Sequence, residues 1–149
     1  MGLFAAARQG RKDDAELGRG VWRRAHDRFQ RGLDRFHQML EGIEDPAIFD
    51  ALVPVANGLA ALLPRVRAVC IRVQQQSPSD GLDIPASAGG ALNDLHRALS
   101  RAGNALATAA EAAAMVRLGA APVEAVHRRA RIVHEHVAEA EELASRSGH

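Results

Sequence analysis

The sequence predicts an all-α protein: an antiparallel up-down-up-down four-helix bundle with long helices over about residues 13–43, 46–76, 88–118 and 122–145. Three observations predict it. Apolar residues recur at alternating steps of three and four in four separate segments, the spacing that keeps side chains on one side of an α-helix. Glycine and proline mark the joints between those segments. No period-two alternation competes, and tyrosine is absent. A chain of 149 residues, 47% hydrophobic and 25% charged, can bury one sizeable core. Residues 13–149 are therefore expected to form a single domain, preceded by a loosely held, flexible arm over residues 1–12.

The first helix, from Asp13 to about Ile43, opens on an acidic turn (Asp13, Asp14, Glu16) that suits the positive end of a helix dipole. Trp22, Phe29, Phe36 and Ile43 follow at seven-residue steps, a heptad seam. Three of the five aromatic residues lie on that line, which reads as a packing spine rather than a ligand cage. Gly42, Asp45 and Pro46 then end one helix and begin the next: glycine near an end, an acid as N-cap, proline at the first helical position. So short a turn makes these two helices antiparallel neighbours.

The second helix is the most apolar stretch. Phe49, Leu52, Ala56, Leu59, Leu63, Val66, Cys70 and Val73 form its stripe, and Val55, Leu62, Val69 and Ile71 widen the apolar face beyond what two neighbours usually cover. Pro54 and Pro64 fall on the opposite side, so although a proline costs about 3 kcal/mol in a helix interior, here it bends one helix around its core. Residues 77–87 read as a surface loop long enough for either an antiparallel return or a crossover. Ser87 caps the third helix, whose heptad runs from Ala88 through Leu92, Leu95, Leu99 and Leu106 to Val116. Beside it Ala91, Ala98, Ala105 and Ala112 form a row of small residues, which permits close approach by a neighbour in the chain or by a second copy. Gly119 and Pro122 mark the next turn, and Val126, Ala130, Val133, Val137, Ala140 and Ala144 carry the fourth helix.

Composition excludes several classes. The net charge of +1 implies neither a nucleic acid nor a membrane surface as partner. Of 19 basic residues only Lys12 is lysine, a preference that reads as coding bias. A single cysteine on the apolar stripe leaves no disulfide framework or cysteine metal site and fits a reducing cytoplasm. The first seven residues lack the basic leader of a secretory signal, and Ala6 stands where N-myristoylation wants Ser or Thr. No membrane span is expected, because the apolar run Ala51–Leu63 holds Pro54, Asn57 and Gly58 and is closed by Pro64 and Arg65.

Among polar patterns, Arg24, Arg28, Arg31 and Arg35 make a continuous stripe on the first helix, able to hold phosphates or an acidic partner. In a bundle with antiparallel neighbours throughout, that stripe starts beside the end of the fourth helix, where Glu135, Glu139, Glu141 and Glu142 could neutralise it. Exposed aromatics for base stacking are not interleaved with it, so nucleic acid is not expected. His127, His134 and His136 are the metal candidates, but residues seven apart on a helix are separated by about 10.5 Å, beyond one ion's ligand span. Asp34-x-x-His37 and Glu124-x-x-His127 resemble the paired ligands of ferritin-like bundles, yet Asp34 lies opposite Phe36 and the second helix offers only Asp50, so no metal site is assigned. His96 resembles the histidine of phosphotransfer domains, but Leu99 and Ser100 stand where those expect lysine and glycine, and it reads as a solvated edge residue. No nucleophile elbow or phosphate loop is present. The expected function is non-enzymatic, without a cofactor: contact as a homodimer or with another helical protein through Val55, Leu62, Val69 and Ile71 or the alanine row. The alternative is an anion, phosphate or nucleic-acid binding module using the arginine stripe, and the third reading a His/carboxylate metal-binding or phosphotransfer bundle.

Overall fold

In the computed structural model, which describes residues 2–147, the apolar stripes fold into five helices rather than four, with no strand among the described residues. They are α1 (Leu3–Leu17), α2 (Val21–Glu41), α3 (Pro46–Gln76), α4 (Ala91–Arg117) and α5 (Val123–Ser147), with a 3-10 turn at Ala88–Gly90 before α4. The expected first helix is broken at Gly18–Gly20, and the expected arm is helical from Leu3. Two local causes explain the break. Gly18 takes φ 71° and ψ −157°, a backbone state open to glycine alone. Gly20 has no side chain to cap α2, and the cap comes from 58 residues away: Ser79 Oγ accepts from the Val21 N–H at 3.1 Å. A Cβ on Gly20 would lie 2.2 Å from that hydroxyl and 2.3 Å from the Ser79 backbone, so only glycine admits the loop this closely. Asp13, Asp14 and Glu16 thus belong to the end of α1, where they pair with arginines of α2 and α3.

The other joints form as their chemistry dictates. Asp45 Oδ1 accepts from the backbone N–H of Ala47 at 2.9 Å and of Ile48 at 3.4 Å, capping α3 ahead of Pro46. α3 runs unbroken through Pro54 and Pro64, both exposed. By length and composition α3 could cross a membrane, a measure its sequence was expected to miss; Leu52, Leu59, Leu62, Val66 and Cys70 are buried in the protein's own core. α4 starts three residues later than expected, because Gly89 and Gly90 are left-handed, although Ser87 Oγ still accepts from the Leu92 N–H at 2.9 Å. It ends at left-handed Gly119, with bonds from Gly119 N–H to Val116 O and from Ala120 N–H to Met115 O.

Helix order in space also differs from the expectation. α2 contacts α3 and α4, and α5 contacts the same two, while α2 faces α5 and α3 faces α4 across diagonals. Trp22 meets His96 with ring centroids 6.1 Å apart, Gly32 meets Leu106 and Gly42 meets Arg117, so α2 and α4 run parallel. Gly58 meets His134 and Arg65 meets Glu141, so α3 and α5 run parallel too. Chain direction alternates along the sequence, but residues 77–90 carry it across a diagonal, which makes like-directed helices neighbours. Trp22 Nε1 donates to Ser77 O at 3.0 Å and helps hold that crossing.

The four expected stripes meet in one core. Phe29, Leu99 and Val133 are buried together, and Leu63 packs against them half-buried. Trp22, Phe36, Leu95 and Leu106 have no exposed surface at all. Small residues of α4 serve packing inside the chain: a Cβ on Gly32 of α2 would come within 3.1 Å of Leu106 Cγ, so α2 and α4 approach closely there.

Candidate functional site

The arginine stripe of α2 is exposed at all four positions, Arg24, Arg28, Arg31 and Arg35. The acids expected to neutralise it lie elsewhere, since α2 is diagonal to α5. Arg65 Nε of α3 donates to Glu141 Oε2 at 3.0 Å, Glu139 faces Arg101 of α4 at 4.0 Å, and Glu142 pairs with Arg146 of its own helix. Among the described residues Arg24, Arg31 and Arg35 form no ion pair or hydrogen bond. Arg28 behaves differently. Its stem runs past Gly103, and its guanidinium donates to Asn104 Oδ1 on α4.

That bond leads to a groove between α4 and α5 with a volume of about 320 Å³. Arg101, Asn104 and Thr108 supply one wall and Arg129 and His136 the other, with Ala105 and Ile132 between them. Spacings of three and four residues on each helix place these groups on facing edges of an antiparallel pair. Because Asn104 Oδ1 accepts from Arg28, its amide nitrogen is left to donate into the groove. Thr108 Oγ1 donates to Asn104 O at 3.0 Å and keeps its lone pairs for a ligand. One carboxylate touches the set: Glu139, 3.3 Å from His136 Nδ1 as well as 4.0 Å from Arg101. Arg129 and its neighbours Arg128 and Arg131 form no ion pair among the described residues. Two arginines, an oriented amide, a hydroxyl and an imidazole around one small groove can hold an oxyanion by charge and by directed hydrogen bonds.

The other sequence candidates scatter. His127 and His134 line the α3–α5 groove beside Pro54, Val55 and Gly58, while His136 belongs to the α4–α5 groove. Among the described residues no three His, Cys, Asp or Glu side chains gather as a metal ion requires. Burial, and then the nearby Arg65 charge, push the His134 imidazole below its ordinary pKa. His96 is not a solvated edge residue: its ring packs edge-on against Trp22, and burial lowers its pKa. Of the interface candidates, Leu62, Val69 and Ala98 are buried inside the chain. Val55, Ile71, Ala105 and Ala112 are half-buried against the core, and Ala91 is half-buried before them on α4. A third neighbour, α1, which begins in the expected arm, also packs against α3, with Leu17 as its one buried residue.

A second polar cluster joins α1 to α2 and α3. Arg67 donates to Asp13 Oδ1 at 2.8 Å and Glu16 Oε2 at 2.9 Å; Arg23 donates to Asp14 Oδ1 at 2.8 Å and Asp27 Oδ2 at 3.0 Å. Buried His26 holds its Nδ1 2.9 Å from Asp27 Oδ1. Burial raises the Asp13 carboxyl, but hydrogen bonds from Gln9 and Arg67 outweigh it and hold the group below 3.8. The Arg23 and Arg19 hydrogen bonds lower Asp14 likewise. These cations are saturated by acids, so the cluster is a clasp, whereas in the α4–α5 groove Arg129 has no acid partner among the described residues.

Four polar side chains of the groove escaped sequence reasoning, Arg101, Asn104, Thr108 and Arg129, because their meeting depends on which helices are neighbours. The visible cue was the run Arg128, Arg129, Arg131. Fold and groove together define an all-α helical protein with a cationic groove. Comparison with family models, curated proteins and solved structures gives no match to this chain.

Proposed function

We propose that the protein is a non-enzymatic binding module: a four-helix bundle, α2 to α5, with α1 appended, whose α4–α5 groove takes a small phosphate-bearing ligand. The observation that carries this reading is the convergence of Arg101, Arg129, His136 and the Asn104 amide on a groove of about 320 Å³ with Glu139 as its one acidic contact among the described residues. That volume suits a small molecule. The unpaired cations Arg24, Arg31 and Arg35 on α2 add a field that draws anions toward the same side of the molecule. Calorimetric titration with pyrophosphate tests it. Arg101→Gln and Arg129→Gln should each weaken binding about tenfold, since each removes a charge-assisted hydrogen bond of roughly 1.5–3 kcal/mol, less solvent screening. Unchanged affinity in the double variant removes the groove from consideration.

Contact with a second helical chain is the other reading, favoured by Met115 and Leu118. They are 45% and 76% exposed at the end where both short turns lie, and Leu118 shares a surface depression with Ile43 and Ile48. A dimer in light scattering at tens of micromolar that Leu118→Asp converts to monomer supports it; a monomeric parent chain removes it.

A further inference from the structure

The outer face of α1 carries a pattern that the fold does not use. Leu3 and Phe4 are 87% and 85% exposed, and Leu17 is the one buried residue of this helix. Ala7, Arg8, Arg11, Lys12 and Ala15 are exposed too. Among the described residues Arg8, Arg11 and Lys12 have no ion pair. Asp13 and Glu16 pair inward with Arg67, Asp14 pairs with Arg23 and with the exposed Arg19, and residues 3–12 carry no acid. The acids of α1 all lie in its last five residues, so the exposed surface of its first ten carries cations without acids, with two large apolar side chains at its N-terminal end.

We infer that α1 docks this face on an anionic lipid surface, with Leu3 and Phe4 inserted among the acyl chains and Arg8, Arg11 and Lys12 at the headgroups. A surface helix segment that exposes apolar side chains and cations and has no carboxylate along it is complementary to anionic lipid. A protein groove would satisfy Leu3 and Phe4 equally well but gives no reason for the acid-free run of cations. Charge and insertion are each small here. Each cation near an anionic surface strengthens binding about fivefold, and burying a Leu or Phe side chain is worth about tenfold or more. The attachment is peripheral and reversible.

Co-sedimentation of the full chain with phosphatidylcholine vesicles, with and without about a third phosphatidylserine, tests this. Binding is expected to the anionic vesicles alone, and to weaken as salt rises. Leu3→Ser with Phe4→Ser should reduce it about a hundredfold or more, and Arg8→Gln, Arg11→Gln and Lys12→Gln together about a hundredfold. Both sets of changes lie on exposed side chains, so pyrophosphate binding and the thermal transition should stay as in the parent. Failure to sediment with anionic vesicles, equal binding to neutral ones, or indifference to the double serine variant overturns the inference. So does loss of vesicle binding in Arg101→Gln with Arg129→Gln, which would assign the attraction to the α4–α5 groove.

Discussion

Replacing Arg67 with Met should release α1 from the body of the protein while α2 to α5 stay folded. Arg67 makes the two charged hydrogen bonds between α3 and α1, at 2.8 Å to Asp13 and 2.9 Å to Glu16, with its side chain 21% exposed. A hydrogen bond to a charged partner nets roughly 1.5–3 kcal/mol; partial screening brings the two together to about 2 kcal/mol. Methionine keeps an apolar stem, so the loss is mainly that of the charge. Leu17 is the only side chain of α1 fully buried, so the Arg23 pair with Asp14 is the main attachment left. About 2 kcal/mol corresponds to a roughly 30-fold fall in protection, read by hydrogen–deuterium exchange of peptides within residues 3–17. Unchanged protection there, or an equal fall throughout α2 to α5, refutes the reasoning. Acid should act on the same clasp. The folded carboxyl of Asp13 lies below 3.8, so its contribution is complete above pH 3.8 and is lost as the pH falls through the lowered folded value. α1 should loosen in that window before the core melts.

Gly20→Ala should destabilise the chain by about 3 kcal/mol, read as a lower urea midpoint, because its Cβ would meet Ser79 backbone atoms at 2.3 Å; a parent-like midpoint would show that the loop is not seated there. Ser79→Ala leaves the Val21 N–H without its acceptor and should cost about 1–3 kcal/mol by the same measurement. The Cys70 thiol, fully buried and pushed up to about 12 first by burial and then by Asp27, should ignore thiol reagents at pH 8 in the native chain and react at once in denaturant. Prompt native labelling would contradict the core placement of α3.

The local signals carried most of the fold. Heptad spacing located α3 to α5 and the end of α2 to within a few residues, though not the start of α2, and Asp45-Pro46, Ser87 and Gly119 formed the joints their chemistry implies. The misses share a cause. The cap of α2 comes from Ser79, 58 residues distant, so nothing near Gly20 in sequence announces a helix start. α1 is held by ion pairs rather than by an apolar stripe, which leaves periodicity nothing to detect. The loop at 77–90 is long enough for either route, and contacts at Trp22 and Val21 decide that it crosses the diagonal. That crossing separates the α2 arginines from the α5 acids and brings Arg28 to Asn104 instead. A stripe on one helix is legible from spacing alone, whereas a groove between two helices requires knowing which helices are neighbours.

Amide and side-chain NMR shifts during a pyrophosphate titration test the cationic groove most directly. The expected result is a saturable set of shifts centred on Asn104, Thr108, Arg129 and His136, with the Arg28 guanidinium moving in step through Asn104. Shifts confined to Arg24, Arg31 and Arg35, or none at millimolar pyrophosphate, would contradict it.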